Sequence, residues 1–132
     1  MQMRFEKRGK MNIHQVIIIM LIILLTLLSG LADAQGFVHA STTWVNGQII
    51  WAEGLKSLLA FGIGAICYLL AANFLKQAGI VLPEIQTIIW FVVTIIGVAV
   101  ISGRFLHWHM VDQLVGIAVL CGIAWLLVRT GG

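Results

Sequence analysis

Charge is what this chain has least of. Only 10% of its 132 residues are Asp, Glu, Lys or Arg, where a soluble domain carries about a quarter. A chain so poor in charge and so short cannot keep its apolar surface from water by folding on itself. There is one proline and one tyrosine, so proline-rich linkers are excluded. Two cysteines do not make a disulfide scaffold. The formal net charge of +3 points to no basic surface for nucleic acid. Four of the eight basic residues, Arg4, Lys7, Arg8 and Lys10, are crowded into the first ten positions, and the other four nearly balance Glu53, Glu84 and Asp112.

What the chain has in excess is long apolar runs. Mean hydropathy is +1.04. Past residue 56, three apolar stretches, interrupted by no charge but Asp112, cover 57–75, 85–102 and 111–128. At roughly 1.5 Å per residue each spans about 27–29 Å as a helix, close to the ~30 Å hydrocarbon core of a bilayer. The sequence therefore predicts an all-α, polytopic membrane protein: an N-terminal signal helix followed by three transmembrane helices.

The N-terminal segment has the three parts of a secretory leader. Positions 1–10 are cationic, 16–28 are apolar apart from Thr26, and 29–35 are small and polar. Ala32-Asp33-Ala34 places small residues at the −3 and −1 positions before Gln35, as a signal peptidase requires. The division expected is 1–34 as signal peptide or uncleaved signal anchor, 35–56 as an outer interfacial segment, and 57–132 as a three-helix transmembrane domain. In either case the cations hold their end in the cytoplasm and Gln35 emerges outside. Within 35–132, Lys76 and Arg129 then fall inside and Lys56 and Arg104 outside, a two-against-two tie.

Punctuation between the runs is orderly. Asn46-Gly47 favours a turn, and Trp44 and Trp51 suit headgroup depth. Glu53 and Lys56, three apart, meet on one helix face. Lys76-Gln77-Ala78-Gly79 ends the first of the three helices with a cation and a glycine. Pro83 and Glu84 open the second. Residues 103–110 form a turn containing Arg104, Phe105, His107, Trp108 and His109, and Asp112 starts the last helix.

Small residues recur where helices must touch in lipid: Gly64 in the first helix, Gly97 and Ala99 in the second, Gly116, Ala118 and Gly122 in the third. Signs of chemistry are sparse. His107 and His109 differ by about 200° on a helix and cannot grip one ion together there, although an extended turn would align them. A metal or haem site would need His39, Asp112 or His14 as well; an aromatic and imidazole belt at the interface is the simpler reading. Cys67 and Cys121 read as packing residues. Without a CxxC, a serine triad signature, paired carboxylates or a phosphate loop, no catalytic residue, metal or cofactor is expected, and the chain is not expected to be an enzyme. Arg104, in a tight turn at headgroup depth, suits either a lipid phosphate held through paired hydrogen bonds or a plain topogenic charge.

The second half has a glycine-bearing apolar helix, a Gly103-Arg104 turn, and a helix with Gly116, Ala118, Gly122 and Ala124, ending in Thr130-Gly131-Gly132. With the basic leader ahead of it, this part resembles the small pilin subunits of conjugative and other type IV secretion systems. The resemblance covers about 40 residues. It implies a subunit stored in the inner membrane as a helical hairpin after signal cleavage, then extracted into a filament that binds phospholipid. Carried over, Arg104 is the basic turn residue facing the lumen, and positions 97, 99, 116, 118 and 122 are packing positions. The family has two apolar helices where this chain has three, so Lys76 equally suits the basic turn, with 57–75 and 85–102 as the hairpin. The function expected is a structural, self-assembling inner-membrane subunit, multi-pass, with phospholipid, further copies of itself and other apparatus subunits as partners. The other readings are a holin-like pore former or a small accessory subunit of a larger redox or transport complex.

Overall fold

The computed structural model describes residues 11–130; the leader cations Arg4, Lys7, Arg8 and Lys10 and the closing Gly131-Gly132 lie outside them. Among the described residues four α-helices follow one another: α1 (Ile13–Ser41), α2 (Trp51–Gln77), α3 (Pro83–Ser102) and α4 (Met110–Thr130). All four are long and apolar enough to cross a membrane. A two-stranded hairpin, β1 (Trp44–Val45) and β2 (Gln48–Ile49), joins α1 to α2, and a 3-10 turn (Arg104–His107) joins α3 to α4.

The helix limits have local causes. Asn12 and Gln15 form a reciprocal capping box at the start of α1. Asn46 and Gly47 both have positive φ, 51° and 76°, as the tight hairpin turn demands. Pro83 occupies the first turn of α3, where its missing N–H costs nothing. Gly103, at φ 63°, ends α3 in the left-handed conformation. One expected boundary differs. Residues 35–41 continue α1 rather than opening an interfacial segment, and α2 begins at Trp51, so the non-helical link is only 42–50. The helix persists because 29–41 contains no proline and its small residues are in contact with α2 and α3. Ala34, the position preceding the expected cleavage, is fully buried inside α1.

The distribution of polarity is the reverse of a soluble protein's. The buried residues are Ser29, Asp33, Ser57, Gln86 and Thr94, with Ala34, Ala71 and Leu75 among the apolar ones, while Ile, Leu, Val and Phe side chains cover the outside. Lipid is the solvent that such a surface fits, and the chain is a membrane-embedded multi-pass protein. Trp44, Trp51 and Trp108 are exposed towards the hairpin end, and Trp125 at the other end carries Arg129 over its ring at 5.0 Å, as in the aromatic belts of membrane proteins.

Helix α1 is the centre of the bundle. It packs extensively on both α2 and α3, whereas α2 and α3 scarcely touch and α4 meets little besides α3. The α1–α2 seam is built on one pattern used twice. Ser29 and Gly36 lie seven apart on α1, as do Ser57 and Gly64 on α2. Because the helices are antiparallel, each serine faces the other helix's glycine. Ser29 Oγ donates to the Gly64 carbonyl at 2.8 Å, and Ser57 Oγ donates to the Gly36 carbonyl at 2.8 Å. Glycine is required because an added Cβ at 64 would overlap the Asp33 carboxyl, and one at 36 would come within 2.7 Å of the Phe61 ring. On the α1–α3 side, Gly97 admits α1 closely: an added Cβ there would lie 2.9 Å from Ala34 Cβ.

Candidate functional site

The buried face of α1 carries Thr26, Ser29, Gly30, Asp33 and Ala34, spaced i, i+3, i+4, i+7 and i+8. That spacing places all five on one stripe. Ser29 is fully buried and Asp33 is 3% exposed. Asp33 lies between helices: Gly64 of α2 is on one side, and Trp90 of α3 donates its Nε1–H to Asp33 Oδ2 at 2.7 Å. The same indole N–H is 3.2 Å from Ser29 Oγ. Ser29 thus accepts from α3 and donates to α2, linking three helices through one hydroxyl. Tyr68 of α2 packs its ring 5.6 Å from that of Trp90.

Depth makes this cluster unusual. Gly64 is the middle residue of α2, and Trp90 is the eighth of the 20 residues of α3. At roughly 1.5 Å per residue the carboxyl is then within several ångströms of mid-bilayer. An ionisable side chain at that depth is expensive and marks function by default. Beside it a cavity of about 10 Å³, the size of one water molecule, is lined by Thr26, Ser29, Tyr68, Gln86 and Trp90 among others. Thr26 Oγ1 has no hydrogen-bond partner.

At the hairpin end, Glu53 has side-chain partners in His39 Nδ1 at 2.6 Å, Lys56 Nζ at 2.7 Å and Thr42 Oγ1 at 3.2 Å. The Glu53–Lys56 pairing expected from their spacing is present, and His39 joins it from the last turn of α1. This leaves His39 far in sequence and role from His107 and His109, which are both exposed. Among the described residues no three His, Cys, Asp or Glu side chains converge as metal ligands.

Arg104 is exposed and lines a groove of about 480 Å³ between the ends of α1 and α3, with Thr42 and Ser102 as polar neighbours and Phe37, Val38 and Ile101 as apolar ones. Lys76 is exposed in the last turn of α2, at the opposite end of the bundle.

The small residues divide into two sets. Gly64 and Gly97 are buried at close helix approaches and Ala99 is half-buried. Gly116 faces Phe105, where an added Cβ would be 3.3 Å from the ring. Ala118 and Gly122 are exposed, and an added Cβ at Gly122 would meet nothing. Cys67 is half-buried and Cys121 exposed, both as free thiols.

The Asp33 cluster was not foreseen. In the sequence Asp33 stands between two alanines and reads as the middle of a cleavage site. The signal available was the helical spacing of Thr26, Ser29 and Asp33, which continues the apolar run as a polar stripe on a single face. Comparison with protein-family models, with curated proteins and with solved structures gives no match.

Proposed function

We propose that this protein is a structural, self-assembling subunit of a membrane apparatus, pilin-like in the sense of the conjugation and type IV secretion systems, resident in the inner membrane. The observation that carries this reading is the state of α4. None of its residues from 110 to 129 is buried, and its Ala118 and Gly122 are uncovered. Small residues four apart let a second helix approach closely in lipid, and among the described residues no helix takes that place. A neighbouring copy is the partner proposed. Arg104 and its groove supply a seat for a phospholipid headgroup at the hairpin end, and no catalytic step is part of this reading.

A second reading has an observation of its own. Removal of 1–34 would take Ser29, Asp33 and Ala34 out of the bundle and leave α2 and α3 almost without contact. This favours α1 being retained, as in an accessory or pore-forming subunit that never leaves the bilayer.

One experiment separates them. Intact mass is measured in membrane and sheared extracellular fractions, together with cross-linking through Cys121 in a Cys67→Ala background. A species beginning at Gln35 in the sheared fraction supports the filament. Uncut chain confined to membranes, but cross-linked through Cys121, supports a resident assembly. Uncut chain that gives only monomer defeats self-assembly through α4.

A further inference from the structure

We propose that Asp33 is a proton-binding site: a carboxyl near the middle of the membrane that takes up and releases one proton, with Ser29, Trp90 and the adjoining water-sized cavity as its setting. This goes beyond the assembly reading and does not depend on it, but it does require that α1 stays with the protein.

The first part of the argument is what surrounds the carboxyl. From α3 it receives the Trp90 indole N–H at 2.7 Å. From α2 it meets Gly64, with Tyr68 behind the indole. From its own helix it has Ser29, whose proton is committed to the Gly64 carbonyl at 2.8 Å. Gln86 of α3 donates an Nε2–H to the Ile80 carbonyl at 2.7 Å, and the donor that meets the acid is Trp90. The ion pairs among the described residues are those of Glu53 with His39 and Lys56; none reaches Asp33. A buried charge without an opposite charge is neutralised rather than tolerated. A carboxyl neutralises by binding a proton.

The second part is access. The cavity touches Ser29 and Trp90, both bonded to Asp33 or to its donor, and its wall carries the unpartnered Thr26 hydroxyl. Room for one water beside the donor of a buried acid, with the hydroxyl-bearing Thr26 and Ser29 in its wall, is what a transferable proton needs and a permanent structural contact does not. On the other side, the polar line continues outward along the same seam, through Ser57 and the Gly36 carbonyl to His39 and Glu53 at the hairpin end. Uptake of the proton changes the acceptor that Trp90 meets, so the hold of α1 on α3 responds to proton activity.

The test uses the full chain in liposomes. Dicyclohexylcarbodiimide enters lipid and adds to protonated carboxyls, converting the acid to an N-acylurea with no other reactant. The expected result is one adduct, mapped to Asp33, falling at least about tenfold from acid to alkaline pH and missing from Asp33→Asn. The amide introduced by Asp33→Asn keeps an oxygen for the Trp90 N–H and nearly the same volume, and an unchanged helical spectrum establishes that the variant folds. The second measurement is the acid-minus-base infrared difference spectrum. It should show a protonated-carboxyl C=O band that shifts in deuterium oxide and is lost in Asp33→Asn; this band decides the matter if the reagent cannot enter. Absence of the Asp33 band overturns the proposal, as does a band that does not change across that pH range. Finding only chain that begins at Gln35 also overturns it, while supporting the filament reading.

Discussion

The two halves of this bundle meet lipid in opposite ways. Helices α1, α2 and α3 enclose a narrow polar interior, in which Ser29, Ser57, Asp33 and Trp90 are bonded across helix boundaries. Helix α4 has similar length and the same apolar character, yet buries none of its residues from 110 to 129. Apolar character therefore did not select partners. Lipid tails are as apolar as leucine, so a helix gains nothing by exchanging lipid for another leucine-covered helix. Association requires close backbone approach, polar bonds, or both. Helices α1–α3 have both, whereas α4 has the small residues and a side chain, Gln113, that bonds to the carbonyls of Phe105 and Trp108 in the adjoining turn.

The sharpest way to break this contrast is one substitution made in both regions. Gly64→Leu drives a side chain into the space of the Asp33 carboxyl, and overpacking of that kind should cost about 3 kcal/mol. Gly122→Leu meets open space and should stay within about 0.5 kcal/mol. Thermal unfolding in detergent, followed by circular dichroism, checks both; equal effects would remove the distinction.

Next in size is Trp90→Phe, which leaves a buried carboxyl without its N–H donor. A loss of about 2 kcal/mol is expected. In a double-mutant cycle, the same change made on Asp33→Asn should cost less, because the bond between the indole N–H and the carboxyl is then already absent. Strict additivity would mean that the 2.7 Å bond contributes nothing specific.

Smaller again are Ser29→Ala and Ser57→Ala, each losing one hydroxyl-to-carbonyl bond, with about 0.6 kcal/mol apiece expected from comparable bonds in membrane helices. Ser29→Ala should be the costlier, since Ser29 also lies 3.2 Å from the Trp90 N–H. The reverse order, measured by the same unfolding assay, would deny Ser29 its place between three helices. The least effect on stability is expected for Ala118→Leu on exposed α4, but that change should reduce cross-linking through Cys121 severalfold if a second copy docks on this face.

Much of the framework was legible because it is written locally. Pro83 announces the start of α3, Gly103 its end, and Asn46-Gly47 the hairpin turn; each depends only on the conformational range of one or two residues. The extent of α1 beyond Ala34 was not legible, because small polar residues suit a cleavage site and a tight helix interface equally. The Ser-x6-Gly pattern on α1 and α2 was present in the letters. It becomes a clamp only when antiparallel pairing sets each serine opposite the other helix's glycine.

The sequence by itself determined that there are four apolar helices, where they turn, and that their solvent is lipid, since hydropathy and turn chemistry are properties of short segments. Only the tertiary structure decided that α1 is the hub, that α4 stands apart, and that Asp33 sits buried between Gly64 and Trp90. Those outcomes rest on a few hydrogen bonds between residues 21 to 61 positions apart. In lipid, where burial favours no particular neighbour, bonds of that kind choose the arrangement.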